Sequence, residues 1–152
     1  MIGDDIRIRA LVLNKAQSKG QIVYGARAIN QQVPDYLKKK TEDYDILTKK
    51  PKKSAQELAN EIRKITSKQV SVEPATHKGT YKVKINGESV VDYTQIKRTP
   101  KTKSSWGNKY YDIKSIKQNI AKRVKDPSKE FRKEKDLDAF RRIKLSEELF
   151  DF

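Results

Sequence analysis

The sequence predicts an α+β fold: a small mixed sheet flanked by helices, with a C-terminal helical segment. Three observations predict it. Short runs with two-residue alternation (TYKVKI, VVDYTQI) surround an Asn86-Gly87 turn, which is the mark of a hairpin. Apolar residues at helical spacing (Leu58, Ile62, Ile65) stand between such runs. Beyond residue 112 the helical period alone continues, with Ile113, Ile116, Ile120 and Val124.

The elements follow in order. Ile6 to Ala16 carries Ile6, Ile8, Leu11, Val12 and Leu13, enough for a helix that ends near Ser18-Lys19-Gly20 with Gly20 as its cap. Gln21 to Tyr24 reads as a short buried strand stopped by Gly25. A helix from Ala26 through RAINQQ must end before Pro34, which opens a short helix from Asp35 to Lys40. DYDIL is the second strand. Ser54-Ala55-Gln56-Glu57 is a capping box at the start of the next helix. Gln69 to Glu73, Thr80 to Ile85 and Glu88 to Gln95 are strands, with Pro74, His77 and Gly79 in the first loop. Lys97 to Asn108, KRTPKTKSSWGN, reads as an exposed basic loop. Asp126-Pro127 closes the first C-terminal helix, Ser128 caps another through Phe131, Leu137, Phe140 and Ile143, and EELFDF is an acidic and aromatic tail. The expected organisation is a core over 1–96, a basic loop or linker over 97–112, and helices and tail over 113–152.

Composition narrows the chemistry. The 152 residues hold 35 Lys plus Arg against 20 Asp plus Glu, a net charge of +15. Such a surplus attracts polyanions, which release counterions on binding, so nucleic acid or nucleotide phosphate is the expected partner. A merely solubilising lysine-rich surface has the same composition. The chain has no cysteine, which excludes thiolate metal sites, cysteine nucleophiles and disulfides, and its single histidine, His77, argues against zinc and Ser-His chemistry. No apolar run approaches the roughly 20 residues that span a membrane, and MIGDDIRIRA is no secretory signal, so a soluble intracellular protein is expected.

Strand alternation puts Asp43 and Asp45 on one side, about 7 Å apart, with Tyr44 and Ile46 on the other. Carboxylates so placed suit hard cations, although a lone Asp-x-Asp taken by itself more often describes a surface turn. Glu42 points away from that pair. Gly25-Ala26-Arg27 at a helix start offers free N–H groups and a positive helix end to a triphosphate. Asp92 is the only acid of VVDYTQI, and Val91 and Tyr93 at the core turn it to the opposite face.

Gly25-Ala26-Arg27-Ala28, then Asp43-Tyr44-Asp45-Ile46, then Asp92 on a hairpin strand resemble the DNA polymerase beta-type nucleotidyltransferase superfamily. Within it, YGARAINQQVPDYLKKKTEDYDIL and HKGTYKVKINGESVVDYTQI resemble the poly(A) polymerase-like nucleotidyltransferases of large DNA viruses. The likeness runs over residues 22–96. It implies a minimal nucleotidyltransferase fold and a two-metal transfer of a nucleoside monophosphate from a nucleoside triphosphate to a hydroxyl, with loss of pyrophosphate. In that reading Asp43 and Asp45 hold Mg²⁺ or Mn²⁺, Asp92 completes the second metal site, and Gly25, Ala26 and Arg27 hold the phosphates. Ala26 stands where the superfamily usually has serine or glycine, which removes one hydroxyl contact to phosphate.

Lys78, Thr80 and Lys82 are further nucleotide-binding candidates, although a solvated strand face is the more ordinary reading of each. Lys38, Lys39 and Lys40 before the acidic motif, and Lys49, Lys50, Lys52 and Lys53 after it, suggest a basic rim for nucleic acid. Arg98, Lys101, Lys103 and Trp106 extend that set; Trp106, Tyr110 and Tyr111 suit either base stacking or the core. His77 suits a loop hydrogen bond better than a base. Relatives carry further domains for the base and primer, so base selection here calls for a homo-oligomer or a partner chain, in host cytoplasm or virion. Two alternatives stay open: a nucleic-acid-binding or virion structural protein without turnover, and a regulatory transferase acting on a protein hydroxyl, which the positive charge disfavours.

Overall fold

The computed structural model describes residues 5–41 and 43–150, with the side chain of Phe150 left aside. Glu42, the first four residues of MIGDDIRIRA and the last two of EELFDF lie outside the described residues. The helices are α1 (Ile6–Ser18), α2 (Gly25–Gln32), α3 (Pro51–Ile65), α4 (Ile113–Val124) and α5 (Lys133–Phe150). The strands are β1 (Ile22–Tyr24), β2 (Tyr44–Thr48), β3 (Val70–Pro74), β4 (Thr80–Ile85), β5 (Glu88–Gln95), β6 (Thr102–Ser105) and β7 (Asn108–Tyr111). They form one seven-stranded mixed sheet in the order β3-β4-β5-β2-β1-β7-β6. The α+β architecture and its C-terminal helices are as the sequence predicts.

Alternation decides what β2 and β5 show to each face. Tyr44 and Ile46 of β2 and Val91 and Tyr93 of β5 are buried, and they pack with Ile8, Val12 and Ala16 of α1 and Ala55, Leu58, Ala59 and Ile62 of α3. The residues between them, Asp45 and Asp92, are thereby sent to the other side of the sheet. There a second core forms around α2, α4 and α5, with Ala28, Ile29, Ile113, Ile116, Ile120 and Ile143. β2 and β5 are parallel and in register, Asp45 beside Asp92.

Five local expectations are corrected. Ser54 does not cap α3: the helix begins at Pro51, whose missing N–H costs nothing at the first helical position. Ser54 instead sits one turn inside, buried, its Oγ 3.0 Å from Thr48 Oγ1. The short helix after Pro34 is only a 3₁₀ turn, Asp35–Leu37. Before the last helix it is Asp126 that caps, its Oδ1 accepting from Ser128 N at 3.0 Å and from Ser128 Oγ at 2.8 Å, and a 3₁₀ turn precedes α5. Glu147–Phe150 belong to α5 rather than to a tail.

The fifth correction matters most. Residues 97–112, expected as loop or linker, contain the β6–β7 hairpin, and β7 pairs in parallel with β1. Its turn is Trp106-Gly107, with φ of 51° and 82°, the same left-handed pair that Asn86-Gly87 adopts between β4 and β5 with 50° and 81°. Tyr110 of β7 is buried in the second core. Among the described residues no helix is long and apolar enough to cross a membrane.

Candidate active site

At the junction of β1 and α2 the backbone turns at Gly25, φ +70°. A Cβ there would run into the Asp45 carboxylate, 3.2 Å from its Cγ, so glycine is required both for the turn and for the close approach. Ala26 follows in the open first turn of α2. Arg27 faces the other way: Nε donates to Asp43 O at 2.9 Å, a terminal nitrogen donates to Thr41 O at 3.2 Å, and the guanidinium lies 3.8 Å from the centre of the Tyr44 ring. It holds the segment that carries Asp43.

Gly25, Ala26, Thr41, Asp43 and Asp45 border a cleft of about 670 Å³. Tyr24, Gly25, Ala26 and Ile29 line it from β1 and α2, Lys39, Lys40, Thr41, Asp43 and Asp45 from the segment leading into β2, and His77, Thr80, Lys82, Asp92 and Thr94 from the β3–β5 region. The far wall comes from Tyr111 and the C-terminal helices: Ile116, Asn119, Ile120, Arg123, Arg132, Lys135, Asp136, Ala139 and Arg142. The acidic floor thus faces a basic wall.

Burial pushes the Asp45 carboxyl up to about 7, with repulsion from Asp43 and then Asp92 adding to it, against the pull of Lys135 and Lys82. Asp92 is already paired: Lys82 Nζ lies 3.0 Å from Oδ2 and 3.2 Å from Oδ1, and Ser89 Oγ donates to Oδ1 at 3.1 Å. Beside them runs a chain of hydroxyls, Tyr24 to Thr94 to Thr80, with both links at 2.9 Å. Burial, followed by the Asp45 charge, raises the Tyr24 phenol far above its ordinary range, so it stays neutral.

Does this donor set fit a hard cation? The carboxylate oxygens are the right chemistry, and a cation would relieve the repulsion that adds to burial in raising Asp45. Asp43 and Asp45 line the cleft together. Asp92 is held by Lys82, and among the described residues no group of three or more His, Cys, Asp or Glu side chains is placed to hold a metal ion.

The basic wall is itself built on an acid. Asp136, 2% exposed, accepts from Arg123 Nε and a terminal nitrogen at 3.1 and 3.0 Å, and from Arg132 at 3.1 to 3.2 Å. Burial alone would raise its pKa, but the arginine hydrogen bonds outweigh it and hold the carboxyl below the usual value. Hydrogen bonds tie this wall to α2 and the segment after it. Gln32 donates to Tyr111 O at 2.8 Å and accepts from Ile113 N at 3.0 Å. Arg142 donates to Leu37 O at 3.2 Å.

The cleft therefore gathers Gly25, Ala26, Asp43, Asp45, Asp92, Thr80 and Lys82, with Lys39 and Lys40 at its border. It does not gather the rest. Lys78 lies in another depression, with Lys50, Lys52, Lys53 and Tyr81. Lys49, Lys50 and Lys53 surround a cavity at the opposite end of β2, because a strand carries the chain away from Asp43; they are no rim to it. Lys38 pairs with Asp35 at 2.9 Å. Arg98, Lys101 and Lys103 are exposed in and before the β6–β7 hairpin, and Trp106 at its tip is 95% exposed rather than in the core. His77 is exposed in the β3–β4 turn, where its carbonyl accepts from Thr80 N at 3.3 Å. Sequence reasoning missed Tyr24, Thr94, Asn119 and the whole basic wall. The one available signal was the Arg132–Asp136 pair at helical spacing.

Comparison with known proteins agrees with this geometry. The crystal structure of the Megavirus polyadenylate synthase superposes with a TM-score of 0.81 at 19% identity, over 92% of this chain and 31% of that one. The likeness shows the nucleotidyltransferase-like fold, and the chain spans less than a third of that structure's length. No curated protein sequence matches the chain. The family described as the poly(A) polymerase catalytic subunit matches residues 10–125; on that match, which takes in the Gly25 turn, all three aspartates and α4, the chain belongs to the poly(A) polymerase catalytic subunit family.

Proposed function

We propose that the protein transfers a nucleoside monophosphate from a nucleoside triphosphate to a hydroxyl of a nucleic acid, in the manner of a poly(A) polymerase. The observation that carries this reading is the convergence of Asp43, Asp45 and Asp92 on one cleft beside the Gly25 helix start. Asp43 and Asp45 would hold Mg²⁺ or Mn²⁺, with Asp92 joining when Lys82 releases it. The bound cation supplies charge neutralisation on the triphosphate.

Each residue then has a physical task. The Gly25 and Ala26 N–H groups, at the positive end of α2, donate to the phosphate oxygens. Arg27 keeps Asp43 in place through the main chain instead of touching phosphate. Lys82, once off Asp92, becomes a cation available to the triphosphate, while Thr80 and Thr94 border the same ground. Arg123, Arg132, Lys135 and Arg142 offset the negative charge of substrate opposite the carboxylates. Ile29, Ile116 and Ile120 give part of the cleft an apolar wall suited to a base. Nucleic acid is attracted by the general positive charge and by the Lys101, Lys103 and Trp106 hairpin, where an exposed indole suits base stacking. A second chain for base selection, and the host cytoplasm as the place of action, are part of the same reading.

The test is incorporation of each labelled nucleoside triphosphate, with Mg²⁺ or Mn²⁺, into RNA, DNA and protein acceptors, beside an Asp43→Ala/Asp45→Ala double variant. Metal-dependent incorporation into RNA or DNA that the double variant loses is expected. Equal incorporation by both proteins, or none by either, overturns the reading. A second reading, nucleic-acid binding without turnover, is favoured by the Lys82–Asp92 pair; binding that survives the double variant, with no incorporation, would support it.

A further inference from the structure

At the end of β2 opposite the aspartates lies a separate cavity of about 360 Å³, at the small end of ligand pockets (~300–1,000 Å³). Lys19, Lys49, Lys50 and Lys53 surround it, all exposed. Lys19 is 3.9 Å from Glu57, which also lines the cavity and is offset again by Lys15 at 3.6 Å. Lys49, Lys50 and Lys53 have no acidic partner within 4.0 Å among the described residues. The N-terminus of α3 opens beside them, with no side-chain cap and no acid in its first turn. Its free N–H groups and positive end add to the lysine field.

The lining polar side chains are short of partners in a specific way. Gln21 is 6% exposed, and its amide nitrogen donates to Thr48 Oγ1 at 3.4 Å and Ser54 Oγ at 3.2 Å. The two hydroxyls bond each other at 3.0 Å. One hydroxyl proton supplies that bond, so the other is left to donate. Gln21 Oε1, buried, has no hydrogen-bond partner. Buried polar atoms in that state call for an explanation. The cavity thus presents cations and a spare donor for an anion, next to an acceptor that needs a donor.

A ribose phosphate carries both complements, anionic oxygens and a 2′-hydroxyl that donates. We propose that this cavity is a second nucleic-acid contact, taking one sugar-phosphate unit of a single-stranded RNA and distinguishing it from DNA through Gln21. Asp45 and Lys49 are about 13 Å apart along β2 at ~3.3 Å per residue, so the site is separate from the cleft. Its occupant needs no turnover there.

The experiment reads binding alone. Fluorescence anisotropy with a labelled oligoribonucleotide and its DNA counterpart is measured in EDTA, without triphosphate, in the Asp43→Ala/Asp45→Ala background, so an inactive cleft leaves the result untouched. Lys49→Glu/Lys53→Glu is compared with the charge-matched Lys64→Glu/Lys68→Glu at the other end of α3. The first pair is expected to weaken RNA binding at least tenfold more than the second. Its salt slope becomes shallower by about 0.7, the value for one phosphate contact on a single strand. Full 2′-O-methylation of the RNA is expected to bring its affinity to that of DNA in this background, with no further substitution in the protein. Equal weakening by the two double variants, or 2′-O-methyl RNA binding as tightly as RNA, overturns the proposal.

Discussion

Lys82 and Asp92 face each other across the β4–β5 pair, with Nζ 3.0 Å from Oδ2, so the acid proposed to complete the metal site is held by a lysine of the neighbouring strand. A cation and Lys82 compete for the same oxygens. Lys82→Gln is therefore expected to tighten Mn²⁺ binding several-fold, measured by titration against the electron paramagnetic resonance signal of free Mn²⁺. Weaker Mn²⁺ binding in the variant would mean that Lys82 assists the site rather than blocking it.

Gly25 combines a left-handed φ with contact to Asp45, whereas Gly20, at φ +64°, has nothing within 4 Å of an added Cβ. Gly20→Ala is expected to cost about 1 kcal/mol, the backbone strain alone, and Gly25→Ala roughly 2–4 kcal/mol, strain plus displacement of the Asp45 side chain. Urea unfolding at one pH compares them. Equal losses would show that the Asp45 contact is easily relieved.

The raised Asp45 pKa, about 7, sets a pH dependence in metal-free protein. Below about pH 4 Asp45 is protonated folded and unfolded, and above about 7 it is ionised in both. Between these values the folded state keeps a proton that the unfolded state has lost, so stability falls as pH rises. The ceiling of this effect is on the order of 4 kcal/mol. Asp45→Asn is expected to flatten the slope between pH 4 and 7 and to unfold at higher urea than the parent at pH 8. An unchanged slope would refute the assignment.

Asp136 behaves oppositely. Its carboxyl is held below the usual value, so its contribution is complete above about pH 4 and is lost as pH falls through the lowered folded pKa. Asp136→Asn leaves Arg123 and Arg132 without a counter-charge and is expected to cost about 3 kcal/mol at pH 7. Guanidinium chloride would mask that charge, so unfolding is followed in urea; a loss under 1 kcal/mol would show that the arginines find other partners.

How much of this was legible beforehand differs by element. Asp45 and Asp92 could be placed on one face because alternation is a local rule, and Tyr44, Ile46, Val91 and Tyr93 obey it. Gly25 was legible as the residue before a helix; its contact with Asp45 was not. Ser54 was misread because a capping-box pattern competes with Pro51, and proline at the first turn won. The β6–β7 hairpin escaped because TKSS and NKYY are too polar to read as strands, and Trp-Gly is an uncommon pair for a left-handed turn. Arg123, Arg132 and Lys135 face the cleft through the packing of α4 against α5, which follows from distant apolar contacts such as Ile120 and Ile143. Lysine runs close in sequence, at 38–40 and 49–53, were separated by the length of the strand between them.

Arg27 grips its neighbours by their carbonyl oxygens, those of Thr41 and Asp43. Main-chain oxygens are the same whatever side chain a residue bears. The Asp43 carboxylate has no hydrogen-bond partner among the described residues, so exchanging it removes charge and donor atoms while the scaffold under it stays anchored. Position 43 can therefore be varied with its backbone anchor kept, and loss of its charge relieves part of the repulsion that adds to burial in raising Asp45.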